Sequence, residues 1–278
     1  MAVRIEATRS TQTFNFFLVL FPLIVSGLTF AGEPEGTPVT ETFGCEDGQS
    51  VTWTVPSGVS EITIDMAGAR GGSAPGRTGG HGGTLNPDEL PVMAVTSGQE
   101  FELIVGCRGQ NGGQNPAGGG AGYGHGGDGG QGAGDVSRGA GGGGSTAFLT
   151  HDGNPLIVTG GGGGASDHDS GANTTGHAGG HGGGLEGNDG DPEGENFRGR
   201  GGGGGYYGAS GGNSDVEDNE IDSGGGGGGS GFLADGIPGT LVTGGNNAHG
   251  FIEISYVVMP DPIHADRFEV TEEAESET

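Results

Sequence analysis

The chain has 278 residues, 72 of them glycine and only 30% of them hydrophobic, which excludes an apolar core running through its whole length. Its formal net charge is −27 and all nine basic residues are arginine. That excludes a basic face able to neutralise phosphates, and with it a nucleic-acid partner.

Acid excess without any lysine fits a protein made for molar salt. There the Debye length shrinks to about 3 Å and carboxylate repulsion is screened. An ordinary acidic exported protein is the plainer reading. Residues 1–31 read as a signal peptide. Arg4 and Arg9 precede an apolar run over 14–30, and Thr29-Phe30-Ala31 offers a cleavage site. The alternative is an uncleaved N-terminal anchor, the one circumstance in which the chain would meet a membrane. The run is short for the ~30 Å of a bilayer's hydrocarbon. Residues 32–39, a Pro/Glu/Thr stretch, read as a linker.

From residue 40 the pattern turns to β. Strands are expected at 50–55, 61–67, 92–95, 101–105, 146–149, 156–159, 240–243 and 250–257, from β-branched and aromatic content and polar/apolar alternation. Pro56-Ser57-Gly58 and Ser97-Gly98 supply turns, and Asp152-Gly153-Asn154-Pro155 a hairpin tip. Short strands with turn signals and no helical period imply a mainly β chain with an antiparallel sandwich. Trp53, the one tryptophan, reads as core. Cys45 and Cys107 suggest one disulfide in an exported chain, with two separate buried thiols as the alternative.

Glycine tracts at 118–120, 141–144, 160–164, 201–205 and 224–229 are woven between the strands. Flexible coil is one reading, because glycine loses the most entropy on ordering. The other is a bundle of polyproline II-type helices, with three residues per turn and no Cβ to keep neighbours apart. Short tracts that alternate with strands favour the bundle, mainly within 106–231.

The stretch Trp53-Thr54-Val55-Pro56-Ser57-Gly58-Val59, then Ile62-Thr63-Ile64 and Ala67-Gly68-Ala69-Arg70-Gly71-Gly72, resembles the opening of glycine-rich domains of bacterial and viral surface proteins. Leu103-Ile104-Val105-Gly106, followed by Gly109, Gly112 and Gly113, fits those domains too, while residues 141–148 and 156–164 look like the glycine-rich domain of the anaplastic lymphoma kinase and leukocyte tyrosine kinase receptors. The resemblance, which covers roughly Phe43 to Val257, implies a tumour-necrosis-factor-like, jelly-roll-like antiparallel β-sandwich with an inserted bundle of polyglycine helices, and the domain is set at 40–258. Some phage-fibre adhesins use similar glycine sandwiches to present variable loops. No kinase segment is present, so receptor signalling does not carry over.

Candidate chemistry is sparse. His81, His125 and His181 each sit in Gly-His-Gly-Gly, and His177 lies four residues before His181. Without a helix that spacing builds no face, and no metal site is expected. Asp215, Glu217, Asp218, Glu220 and Asp222 could take Ca²⁺ through oxygen ligands but lack the loop glycine of an EF-hand. They read as solvated charge, and no cofactor is expected. No tract is followed by Gly-Lys-Ser/Thr, and no nucleophile motif occurs on a strand–helix elbow, so no enzyme is expected. Asn173 heads a glycosylation acceptor sequence. Residues 259–278 read as an acidic, disordered tail.

Tyr123, Tyr206 and Tyr207 interrupt the glycine context and, with His125, His177 and His181, are the candidate contact residues. The tyrosines could equally cap the bundle. The composite reading is a binding module at the cell surface or outside the cell, an adhesin or receptor-binding protein. It would recognise a cell-surface glycan or protein. A structural subunit or spacer of an envelope, appendage or virion, assembling with its own copies, is the alternative.

Overall fold

The computed structural model describes residues 36–113, 117–129, 139–165, 189, 202–208, 214–217, 220–223 and 226–259. The expected signal peptide and all of the acidic tail but Met259 lie outside them, as do His177, His181 and Asn173.

The described residues are strands and irregular segments, without a helix. The strands are β1 (Thr37–Gly44), β2 (Ser50–Thr54), β3 (Glu61–Ala67), β4 (Gly82–Leu85), β5 (Val92–Ala94), β6 (Glu100–Ile104) and β7 (Thr146–Thr150). They continue with β8 (Pro155–Thr159), β9 (Ser214–Glu217), β10 (Glu220–Ser223), β11 (Phe232–Leu233), β12 (Leu241–Asn246) and β13 (Phe251–Val258). One antiparallel sheet has the order β1-β13-β3-β4-β12, with β5 also on β3. The other has the order β11-β8-β7-β6-β2. β9 and β10 pair as a separate hairpin, carrying part of the acidic run.

Period-two alternation turns one face of each sheet inward. In β3, Ile62, Ile64 and Met66 point to the core, opposite Tyr256, Ile254 and Ile252 of β13. In the second sheet Trp53 of β2 lies opposite Phe101 of β6, and Leu103 opposite Phe148 of β7. All of them, with Ile157 of β8, belong to one buried cluster. Trp53 is core, 6% exposed, with its ring 6.2 Å from that of Phe101.

β1 begins at Thr37, so the last residues assigned to the linker are strand, paired with the end of β13. Its inward positions are Val39, Glu41 and Phe43, and the carboxylate among them hides the alternation. β4, β5 and β12 fill the other flank of β3. β12 is bulged between Val242 and Asn246, where its glycines sit.

Glycine tracts extend from one end of both sheets. β3, β6 and β8 run out into 68–72, 106–112 and 160–165, while 79–81 and 139–145 lead into β4 and β7. The glycine-rich region among the described residues takes in segments from residue 68 onward. Its tracts hydrogen-bond to one another mainly through backbone, and these backbone bonds recur every third residue. Gly83 N–H donates to Gly160 C=O at 2.8 Å and Gly80 to Gly163 at 2.8 Å. Gly162 donates to Ala69 at 2.8 Å and Ala165 to Gly72 at 3.0 Å. Gln110 donates to Gly118 at 2.9 Å, three residues after Cys107 donates to Ala121. Inner tracts are bonded on several sides: Gly161 donates to Gly204 and accepts from Gly229, both at 2.8 Å.

At the inner tract contacts this spacing admits no side chain. A Cβ on Gly143 would stand less than 3.0 Å from the Ala69 carbonyl oxygen, and one on Gly161 equally close to that of Gly143. Cys45, just after β1, is disulfide-bonded to Cys107 in the tract after β6, with Cα atoms 5.2 Å apart. The bond joins the edge of one sheet to the glycine region that continues the other.

Candidate functional site

The three candidate tyrosines meet at the outer face of the second sheet. Ala147 and Leu149 of β7 and Val158 of β8 point away from the main core and form a second buried cluster. Tyr123, Tyr206, Phe232 and Ile104 cover it. The Tyr206 ring stacks on that of Phe232 at 4.2 Å and 14°. Tyr207 meets Tyr206 edge-on at 4.8 Å and 74°.

Backbone bonds from the neighbouring tracts place these rings. Tyr123 N–H donates to Ser145 C=O at 3.0 Å, and Tyr206 N–H to Ser230 C=O at 2.9 Å. Tyr207 is clamped at Ser230: its N–H donates to the hydroxyl at 2.9 Å, and its C=O accepts the Ser230 N–H at 3.0 Å. Ser230 is held by the tract running into β11.

The three tyrosines differ in exposure. Tyr123 and Tyr206 are half-buried covers of the second cluster. Burial, with Tyr206 beside it, pushes the Tyr123 phenol up from its ordinary value. Tyr207 is the outward residue, 44% exposed although its backbone is fixed. Phe232, which sequence reasoning did not select, completes the stack. It follows the 224–231 run as Tyr206 follows 201–205, and that repeated placement was its available signal. His125 is exposed near Tyr123 in sequence, and no bond from its ring is seen among the described residues.

Other features bear on ligand chemistry. Among the described residues, the one trio with metal-ligating atoms close together is Cys45, Cys107 and His249, all within 4.8 Å. Its two sulfurs are bonded to each other, which leaves the imidazole as the one ligand present. His249 Nδ1 accepts the Arg108 N–H at 3.2 Å.

On the outer face of the first sheet, an open groove of about 370 Å³ passes Pro38, Thr40, Thr63, Ser255, Val257 and Met259. The Thr40 and Ser255 hydroxyls bond across it at 2.9 Å. One row further along, Asp65 faces Glu253 across the β3–β13 pair. Burial, then the Glu253 charge, raises the Asp65 carboxyl above its ordinary value.

The chain matches no protein-family model and no curated protein.

Proposed function

We propose that this protein is an exported binding module that holds an aromatic contact face on a rigid glycine scaffold. The observation that carries the reading is Tyr207: its backbone is bonded to Ser230 while the residue remains 44% exposed. A tyrosine fixed in this way loses little entropy when it is covered, the property that makes it frequent in binding loops. Tyr206, itself stacked on Phe232, meets its ring edge-on, so the contact is pre-formed. A cell-surface glycan or protein fits such a face, because an aromatic ring covers apolar area and its hydroxyl hydrogen-bonds.

The scaffold in this reading is a bundle of polyproline II-type glycine helices inserted in a jelly-roll-like sandwich. Backbone bonds at every third residue support it, since that is the turn of such a helix. Cβ-free positions at the tract contacts support it too. The acidic, lysine-free composition supports use in molar salt.

The test is saturable binding of labelled protein to halophilic cell envelopes in molar salt. Tyr207→Ala should weaken it at least tenfold with the melting temperature unchanged. Equal binding by the folded variant rejects the aromatic face.

A second reading, a structural subunit, draws on the outer edges of β1 and β2, each paired on one side only among the described strands. Large assemblies in sedimentation, with no envelope binding, would favour it.

A further inference from the structure

Two arginines converge where the tract after β3 lies against the tract after β6. Gly109 N–H donates to Arg70 C=O at 3.1 Å, and three residues on Gly112 N–H donates to Ser73 C=O at 2.8 Å. A period of three puts residues i and i+3 on one face. Arg70 and Ser73 therefore share a face on one tract, and Arg108 and Asn111 share one on the next. The side chains meet accordingly. Arg70 Nη2 donates to the Ser73 hydroxyl. Arg108 Nη2 donates to the same hydroxyl at 3.4 Å and to Asn111 Oδ1 at 2.9 Å. Asn111 Oδ1 also accepts the Ser73 N–H at 2.8 Å.

This arrangement is unbalanced in charge. The chain has 36 carboxylates for nine arginines, so an acidic partner is the easy outcome for any guanidinium. Among the described residues neither Arg70 nor Arg108 has one. Their side chains bond only to neutral oxygens, and the Nε of each is buried without a partner. Burial, then the Arg108 charge, lowers the Arg70 pKa from its ordinary value. Two like charges brought together and partly removed from water are costly unless an anion joins them.

The acceptors here are already used. The Ser73 oxygen accepts from both arginines, which leaves its own proton to donate, and Asn111 has its amide N–H₂ to offer. The face thus presents two guanidinium groups, a hydroxyl proton and an amide, all donors. Guanidinium forks match the oxygen pairs of carboxylate and sulfate.

We propose that Arg70, Arg108, Ser73 and Asn111 form an oxyanion-binding site that takes a sulfate or carboxylate group. The site is separate from the aromatic face and stands whether or not Tyr207 contacts a ligand.

The test is a titration of the purified protein followed by NMR of the arginine Nε–H signals. Sodium sulfate, methyl sulfate and sodium acetate are each exchanged for chloride at constant ionic strength. Arg70→Gln and Arg108→Gln assign the two signals. The expected result is a saturable shift of these two signals with one of the anions, the others of the nine staying put. A tighter sulfate or methyl sulfate arm names a sulfated ligand, and a tighter acetate arm a carboxylated one. Each substitution should weaken the apparent affinity at least tenfold. If the glutamine variants fail to fold, Arg70→Lys and Arg108→Lys keep the charge, lose the fork and should weaken binding in the same direction. No saturable shift with any of the three anions overturns the site. So does a shift of the same size at all arginines, which would be a general effect of salt.

Discussion

The carboxylate of Glu41 accepts the indole N–H of Trp53 at 3.1 Å, tying β1 at the edge of one sheet to β2 at the edge of the other. Oε1 of Glu41 also accepts the hydroxyl of Tyr256 on β13. One half-buried acid therefore satisfies two polar groups at the edge of the shared core, where each would otherwise be left without a partner.

Glu41→Ala should destabilise the fold by about 1–3 kcal/mol, the cost of orphaning part-buried donors. Glu41→Gln, which keeps an acceptor oxygen, should cost less. Chemical denaturation followed by Trp53 fluorescence measures both. An alanine variant as stable as the parent would show that water replaces the carboxylate.

The same contact sets a pH limit. Burial and the hydrogen bond to Glu41 push the Tyr256 phenol from 10.0 up to about 12. Its neutral form is favoured by folding, so the contribution is complete below the unfolded value and is lost as the phenol ionises in the fold. Stability should fall as pH rises from 10 to about 12. Tyr256→Phe should flatten that part of the melting-temperature profile, and an unchanged slope would assign the loss to other groups.

Gly143 and Gly44 give opposite expectations for one substitution. Gly143→Ala puts a methyl against the Ala69 carbonyl inside the tract layer and should cost about 3 kcal/mol or more, or prevent folding. A Cβ on Gly44 meets nothing within 4 Å, so Gly44→Ala should be neutral or slightly stabilising. Paired melting curves test the difference. Equal effects would mean that the tracts have room that their hydrogen bonds do not suggest.

The disulfide closes a separation of 62 residues, for which chain entropy predicts about 4 kcal/mol of stabilisation. Cys45→Ser with Cys107→Ser should lower the denaturation midpoint accordingly and leave the Tyr207 face in place. Loss of envelope binding by the folded double variant would show that the bond also positions the contact residues.

Much of the fold was legible locally. Alternation in 61–67 marks β3, and the β-branched and aromatic residues of 250–257 mark β13, because each strand buries every second side chain. Trp53 announced itself as core by its size and its place in a strand. β1 was hidden because its inward position 41 is a glutamate, and only Trp53 and Tyr256 on other strands make that residue acceptable. β4 was hidden by glycine, whose missing side chain removes the pattern, and β12 was expected only at 240–243, its run into Gly244 and Gly245 being missed for the same reason.

The candidate site was legible in part. Tyrosines interrupting glycine could be picked out in the sequence, but which of them covers apolar surface depends on Leu149 and Val158 lying beneath, and no local rule places those. The sequence by itself determined the β character, the absence of a full-length apolar core and the strongly acidic surface, since these follow from composition and short-range alternation. Only the tertiary structure decided which tracts lie side by side and which residues thereby meet. Glycine carries no side chain to specify a neighbour, so that choice is made by strands that leave the two sheets at one end. The meeting of Arg70 with Arg108 and of Tyr206 with Phe232 follows from it.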